Sequence, residues 1–146
     1  MDSAFSRLAD YEISADPDRL DAERIHLLVS EHTAWGAGRE RATQDAILRN
    51  SRNYGAYERS TGLQVAYGRV VTDQVTFAWL ADVIVDPAHR GRGIGRSLID
   101  AVLEDLAPLN LRRIVLKASE EARPMYERAG WTGPQDPELW MERRQG

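Results

Sequence analysis

The residues from Val83 to Arg96 read Val-Ile-Val-Asp-Pro-Ala-His-Arg-Gly-Arg-Gly-Ile-Gly-Arg. An apolar run leads into a glycine-rich turn, and the turn opens a helical pattern. Glycines at alternate positions let the backbone approach a ligand closely and turn its N–H groups toward it. The start of a helix adds a dipole of roughly half a charge. Arg90, Arg92 and Arg96 bring cations to the same turn. Together these are the parts of an anion site long enough for a pyrophosphate. Each hydrogen bond to a charged oxygen contributes roughly 1.5–3 kcal/mol, so a handful of donors supplies much of a micromolar affinity. The glycines run G-x-G-x-G, not the G-x-G-x-x-G of a dinucleotide fold, and no Lys-Ser/Thr follows them as in a Walker loop. A Gly/Arg-rich surface turn is the competing reading.

A second candidate is Asp82, a carboxylate among Leu80, Ala81, Val83 and Ile84. A charge in such a run requires a reason: a general base, an orienting group for a substrate, or the anchor of a neighbouring arginine. Strict strand alternation would place Trp79 and Asp82 on opposite faces, and a β-bulge would upset that. His26 and His32 lie six apart and do not share one helix face, and His89 falls within the anion turn. Trp35, Tyr54, Tyr57, Tyr67, Phe77 and Trp79 are mostly expected in the core.

These groups need elements to hold them. Tyr11–Ile13 reads as a first strand, broken by Asp16-Pro17-Asp18. Ile25, Leu28, Val29 and His32 then carry helical spacing. Trp35-Gly36-Ala37-Gly38 reads as a turn. A second helix, about 40–51, is expected to bury Ala42, Ala46 and Ile47. Tyr54–Glu58 and Leu63–Val71 form a hairpin around Ser60-Thr61-Gly62. Phe77–Val85 is apolar enough for a central strand covered on both faces. Ile94, Leu98, Val102 and Leu106 mark a long helix, Ile114–Leu116 a buried strand, and Leu139–Glu142 a final one. Between the last two, Pro124 starts a short helix near Ala122 and Gly130 ends it. Strands and helices mix without strict alternation, so the class is α/β in the broad sense, or α+β.

Bulk properties narrow the function. The chain has 146 residues, 42% hydrophobic and 29% charged, with no cysteine. One domain, 1–146, is expected, without disulfides, thiolate nucleophiles or a metal site, and a reducing, cytoplasmic setting suits it. The net charge of −4 opposes nucleic-acid binding, and no run is long enough for a membrane span. Residues 1–24 hold seven acids against three arginines, an acidic face or a lure for a cationic substrate.

The motif Val-x-x-x-x-Arg-Gly-Arg-Gly-Ile-Gly, read from Val85, resembles the coenzyme A signature of the GNAT superfamily of N-acetyltransferases, Arg/Gln-x-x-Gly-x-Gly/Ala. Arg90, Gly93 and Gly95 fill that pattern. Tyr126-Glu127-Arg128-Ala129-Gly130-Trp131 resembles the same family's Tyr-Glu-x-x-Gly-aromatic helix end. The resemblance covers nearly the whole chain. It implies a mixed sheet of about six to seven strands flanked by about four helices, and acetyl-CoA as co-substrate without a metal. Backbone groups of Val83, Ile84 and Val85 would then hold the thioester and pantetheine, and the N–H groups of Arg90, Gly91, Arg92, Gly93, Ile94, Gly95 and Arg96 the pyrophosphate. Tyr126 would be the general acid. Trp35 would border the acceptor, with Tyr54 and Asp82 beside it, an aromatic and carboxylate lining that suits a primary amine. Glu120 and Glu121 depart from the Asn or Asp that many relatives place before the second motif.

The chemistry is consistent with that reading. A tyrosine of pKa about 10 donating to a thiolate of about 8.5 faces a mismatch of only about 2 kcal/mol. Deprotonating an alkylamine at pH 7 costs about 4.6 kcal/mol, so a base or water relay is expected. The expected activity is direct acetyl transfer to a primary amine of a small molecule or peptide. Acetylation of a protein N-terminus or lysine, or a non-catalytic acyl-CoA-binding module, are the alternatives, and a homodimer is left open.

Overall fold

The computed structural model describes residues 3–145. Five strands form one sheet in the order β1-β2-β3-β4-β5: Tyr11–Ser14, Arg52–Glu58, Gln64–Thr72, Phe77–Val85 and Arg113–Leu116. The first four are antiparallel to their neighbours, and β5 runs parallel to β4. Parallel neighbours require a crossover, and the long helix α3, Ile94–Leu106, supplies it. The other helices are α1, Ala22–His32; α2, Arg41–Arg49; and α4, Arg123–Arg128.

The apolar periodicity of α3 buries Ile94, Leu98, Ile99, Val102 and Leu106 against Ala66, Val70, Ala78 and Leu80 on one face of the sheet. On the opposite face Ile25, Leu28 and Val29 of α1 meet Tyr67 and Ile84. Asp21 caps α1 by accepting from the Arg24 N–H at 3.0 Å, which satisfies one of the orphan donors of its first turn. In α4, Pro124 sits in the first turn, and Gly130, at φ +94°, ends the helix as the sequence predicts.

Three expectations need correction. Leu139–Glu142 is not a strand. Pro137–Leu139 forms a single 3-10 turn, Trp140 stacks over Arg113 at 4.9 Å, and the segment joins no ladder, so the sheet has five strands instead of six or seven. In α2 the buried residue is Gln44, whereas Ala42 is exposed and Ala46 and Ile47 are half-buried. The helix turns a polar side chain inward because Gln44 accepts from the Arg39 guanidinium at 3.0 Å. Strand β4 is not covered on both faces: Ala78, Leu80, Asp82 and Ile84 are buried, but Phe77 and Trp79 remain exposed. The helices on their side, α1 and α2, cover the other end of the sheet.

Candidate active site

The gap between β4 and β5 follows from one residue. The parallel ladder pairs Phe77 through Leu80 with Arg113 through Leu116 and stops there. At Asp82 the backbone enters the left-handed region, φ +53°, and the β3–β4 register slips: Tyr67 faces Ile84 while Arg69 faces Ala81. Two residues of β4, Asp82 and Val83, therefore oppose Gly68 alone, which is a β-bulge. Beyond it β4 runs on to Val85 with its β5 side unpaired. Val83, Ile84 and Val85 stand along that open edge.

The chain then enters the glycine turn. Asp86 accepts from the Ala88 N–H at 2.9 Å and pairs with Arg24, fixing a 3-10 turn at Pro87–His89. Burial opposes ionisation of Asp86, but the Ala88 N–H and Arg24 outweigh it and hold its carboxyl below the usual range. Gly91 and Gly93 take φ +77° and +80°, a conformation that costs a β-carbon-bearing residue roughly 1–2 kcal/mol. The first intrahelical bond of α3 runs from the Ser97 N–H to the Gly93 carbonyl, 3.1 Å. The N–H groups of Ile94, Gly95 and Arg96 precede it and point out of the helix end.

The three arginines differ in what holds them. Arg90 donates to the Val85 carbonyl at 3.2 Å, and Arg92 to the Tyr11 hydroxyl at 3.2 Å. Both acceptors are neutral, so both positive charges are left for a ligand. Arg96 lies 3.2 Å from Asp100, which is shared with Arg7. Tyr11 also bonds His89 Nδ1 at 2.7 Å, tying the turn to β1. Helix α4 closes the same region: a β-carbon at Gly95 would lie 3.7 Å from both Met125 Sδ and Val85.

Tyr126 follows Met125. Its ring is 7% exposed and meets Trp131 edge-on, with centroids 6.0 Å apart. Its hydroxyl has no hydrogen-bond partner among the described residues. With Leu116, Ala118 and Trp131 it lines a cleft of about 600 Å³ on the β5 and α4 side, to which none of the residues from Val83 to Arg96 contributes. Burial pushes its pKa up from the ordinary tyrosine value, so it holds its proton throughout the neutral range.

On the α1/α2 face, side chains from β3 and from the loop between α1 and α2 converge on Asp82 of β4. It accepts from Arg69 Nε at 2.7 Å, Arg39 Nη1 at 2.8 Å, Arg39 Nη2 at 3.4 Å and Trp35 Nε1 at 3.0 Å. The bulge has turned Asp82 to the side of Trp79, whose ring lies 5.6 Å from the Arg69 guanidinium carbon. Trp35 is held by its loop: Gly36 packs so closely that a β-carbon there would overlap Val29, and its N–H donates to Thr33 Oγ1 at 3.0 Å. His26 adds a 2.6 Å bond to the Arg39 carbonyl. Burial works against ionisation of Asp82, but the two guanidinium groups more than offset it and hold its carboxyl below the ordinary aspartate range. A carboxylate saturated by four donors is a poor proton acceptor, so of the three roles the sequence leaves open for Asp82 the geometry favours the arginine anchor over the general base.

Tyr54 also requires correction. It is 0% exposed on the opposite face, where its hydroxyl donates to Asp105 of α3 at 2.6 Å. It lies in the core and does not border an acceptor. The structure thus brings together Trp35, Asp82 and Trp79, and adds Arg39, Arg69 and Tyr11, which the sequence did not single out. Arg69 had a signal: it is the one cation in the apolar β3 run, on the strand that pairs with Asp82's own.

The match of residues 18–131 to the Acetyltransferase (GNAT) family places this chain in that family. The acetyltransferase-class protein FG08082 of Gibberella zeae is 33% identical over 132 residues, 77% of this chain and 73% of that one. A crystal structure of a protein assigned to the GNAT acetyltransferases from Xanthomonas campestris pv. campestris is 37% identical, with a TM-score of 0.86 over 94% of this chain and 95% of that one. Rv2747 from Mycobacterium tuberculosis, solved with CoA, shares the fold at 22% identity, with a TM-score of 0.69 over 84% and 72% of the two chains. Among the described residues no helix is long and apolar enough to cross a membrane, and no group of three or more His, Asp or Glu could hold a metal.

Proposed function

We propose that this protein transfers the acetyl group of acetyl-CoA directly to a primary amine of a small molecule or peptide. The observation that carries the reading is the parting of β4 from β5 at the bulge, immediately before a glycine turn with free N–H groups and two uncompensated arginines. An extended pantetheine arm, which offers amide donors and acceptors, suits the unpaired edge of Val83–Val85. A pyrophosphate suits Gly91 to Arg96 with Arg90 and Arg92. A structural relative solved with CoA supports the same assignment.

In this reading the amine nitrogen attacks the thioester carbonyl, the C–S bond breaks, and Tyr126 donates its proton to the departing thiolate. The ammonium proton leaves through solvent, because Asp82 is committed to its arginines. Its raised pKa makes Tyr126 a weaker acid than a tyrosine in water, and nearby CoA must offset part of that. The test couples calorimetric titration of acetyl-CoA with thiol release over a panel of amines. Micromolar binding and amine-dependent release that increases with pH, as the neutral amine appears, are expected. Binding without release to any amine would leave only an acyl-CoA-binding module, and no binding would remove the reading.

A further inference from the structure

Beside Val83 lies a cluster whose charges do not cancel. Asp82 contributes one negative charge, and Arg39 and Arg69 contribute two positive ones. Neither arginine has a hydrogen bond to any other carboxylate among the described residues; their remaining partners are Gln44 and Ser51, both neutral. The three side chains are only 4–15% exposed, so solvent screens the residual charge poorly. Two donors are left over. Arg69 Nη2 and Arg39 Nε have no protein partner among the described residues, and neither is closed off from solvent, so both can donate to a ligand. Trp35, 56% exposed, and Trp79, 41% exposed, contact the same cluster. Trp79 continues into a shallow apolar hollow with Val71 and Phe77.

We infer, on the basis of the function proposed above, that the acceptor is an amino acid with an apolar side chain, its carboxylate read by Arg69 and Arg39. The charge count selects the group. One residual positive charge is neutralised by a carboxylate and overcompensated by a phosphate dianion, and the guanidinium fork matches a carboxylate's geometry. The length of the acceptor follows from position. Asp82, which holds both guanidinium groups, directly precedes Val83, where the thioester would lie. Amine and carboxylate must therefore be joined by a short linker, as in an amino acid. The tryptophans and the Val71–Phe77 hollow would take the side chain. The amine itself finds no anionic anchor at this cluster, contrary to a lining built on a free Asp82.

The test uses matched acceptors: L-phenylalanine, L-tryptophan and L-leucine, the carboxamide of each, and phenethylamine, tryptamine and isoamylamine. Thiol release with the full-length protein should favour the free acids at least tenfold in kcat/KM. Arg69→Gln leaves a neutral Arg39–Asp82 pair and should reduce that preference below threefold with acetyl-CoA affinity unchanged; Arg69→Lys should recover part of it. Equal or better turnover of the amides or the decarboxylated amines overturns the inference. So does failure to acetylate any of the acids by a protein that binds acetyl-CoA and acetylates other amines, an outcome that spares the function proposed above. A second readout needs neither turnover nor a folded variant. In the presence of CoA, L-phenylalanine should shift the Trp35 indole N–H resonance, and phenylalaninamide should not. Equal shifts, or none, overturn the inference as well.

Discussion

The glycine turn and the Asp82 cluster are built from different materials. The glycine turn presents backbone: left-handed Gly91 and Gly93, the first N–H groups of α3, and arginines held only by a carbonyl and a hydroxyl. The Asp82 cluster presents side chains from α1's following loop, β3 and β4, locked by buried ion pairs. A backbone cradle is indifferent to what lies at the far end of its ligand, so it suits the co-substrate proposed above. A side-chain cluster can be changed one residue at a time, so it suits the partner that varies. The bulge at Asp82 joins them, because it lies where β4 continues without β5 and turns the carboxylate toward the arginines.

Four substitutions would break or sharpen that contrast. Tyr126→Phe keeps the ring and removes the proton, and should reduce kcat by roughly 10²–10⁴ with little change in coenzyme affinity. Steady-state rates under chemistry-limited conditions check it, and an unchanged kcat would return Tyr126 to a packing role.

Asp82→Asn should act on stability first. Asparagine tolerates the left-handed φ, but two half-buried guanidinium groups would then face each other without a counter-charge, a loss of roughly 3–5 kcal/mol. Because the folded pKa of Asp82 is depressed, its contribution is present above the unfolded value of about 3.9 and is lost as pH falls through the folded value. The gap in Tm between wild type and variant should therefore be full at pH 7 and narrow below pH of about 4. A gap that does not change with pH would mean that the charge of Asp82 contributes nothing.

Gly93→Val strains a left-handed position and fills the cradle, and should weaken acetyl-CoA binding at least tenfold in a folded protein. Calorimetry decides it; wild-type affinity would detach the turn from the coenzyme. Smallest is Tyr54→Phe, which removes the bond to Asp105 and should cost about 1–2 kcal/mol in chemical denaturation. Its kcat/KM should stay at the wild-type value. A loss of activity at unchanged stability would bring Tyr54 back toward the acceptor.

What the sequence determined is what short range decides. The bounds of β4 at Phe77–Val85 followed from its apolar run and the Asp86-Pro87 break. The glycine turn, the stripe of α3 and the caps of α4 followed from residue types that allow few backbone conformations. The conformation of the glycine turn was legible for the same reason: glycine spacing and a helix start are local properties. Tertiary structure decided the rest. No local pattern announces that Asp82 adopts φ +53°, so the side of the sheet it faces was open until β3 and β4 were paired out of step. Tyr54 and Trp35 are both aromatic residues near turns. Only long-range packing sent one under α3 to Asp105 and the other over the bulge to Asp82. The tail at Leu139 had the short apolar run of a strand, but a strand exists only with a neighbour to bond, and here Trp140 rests on Arg113 instead. The charge of the Asp82 cluster followed the same rule. A carboxylate read alone suggested a site for a cation, and two arginines from distant parts of the chain reversed its sign.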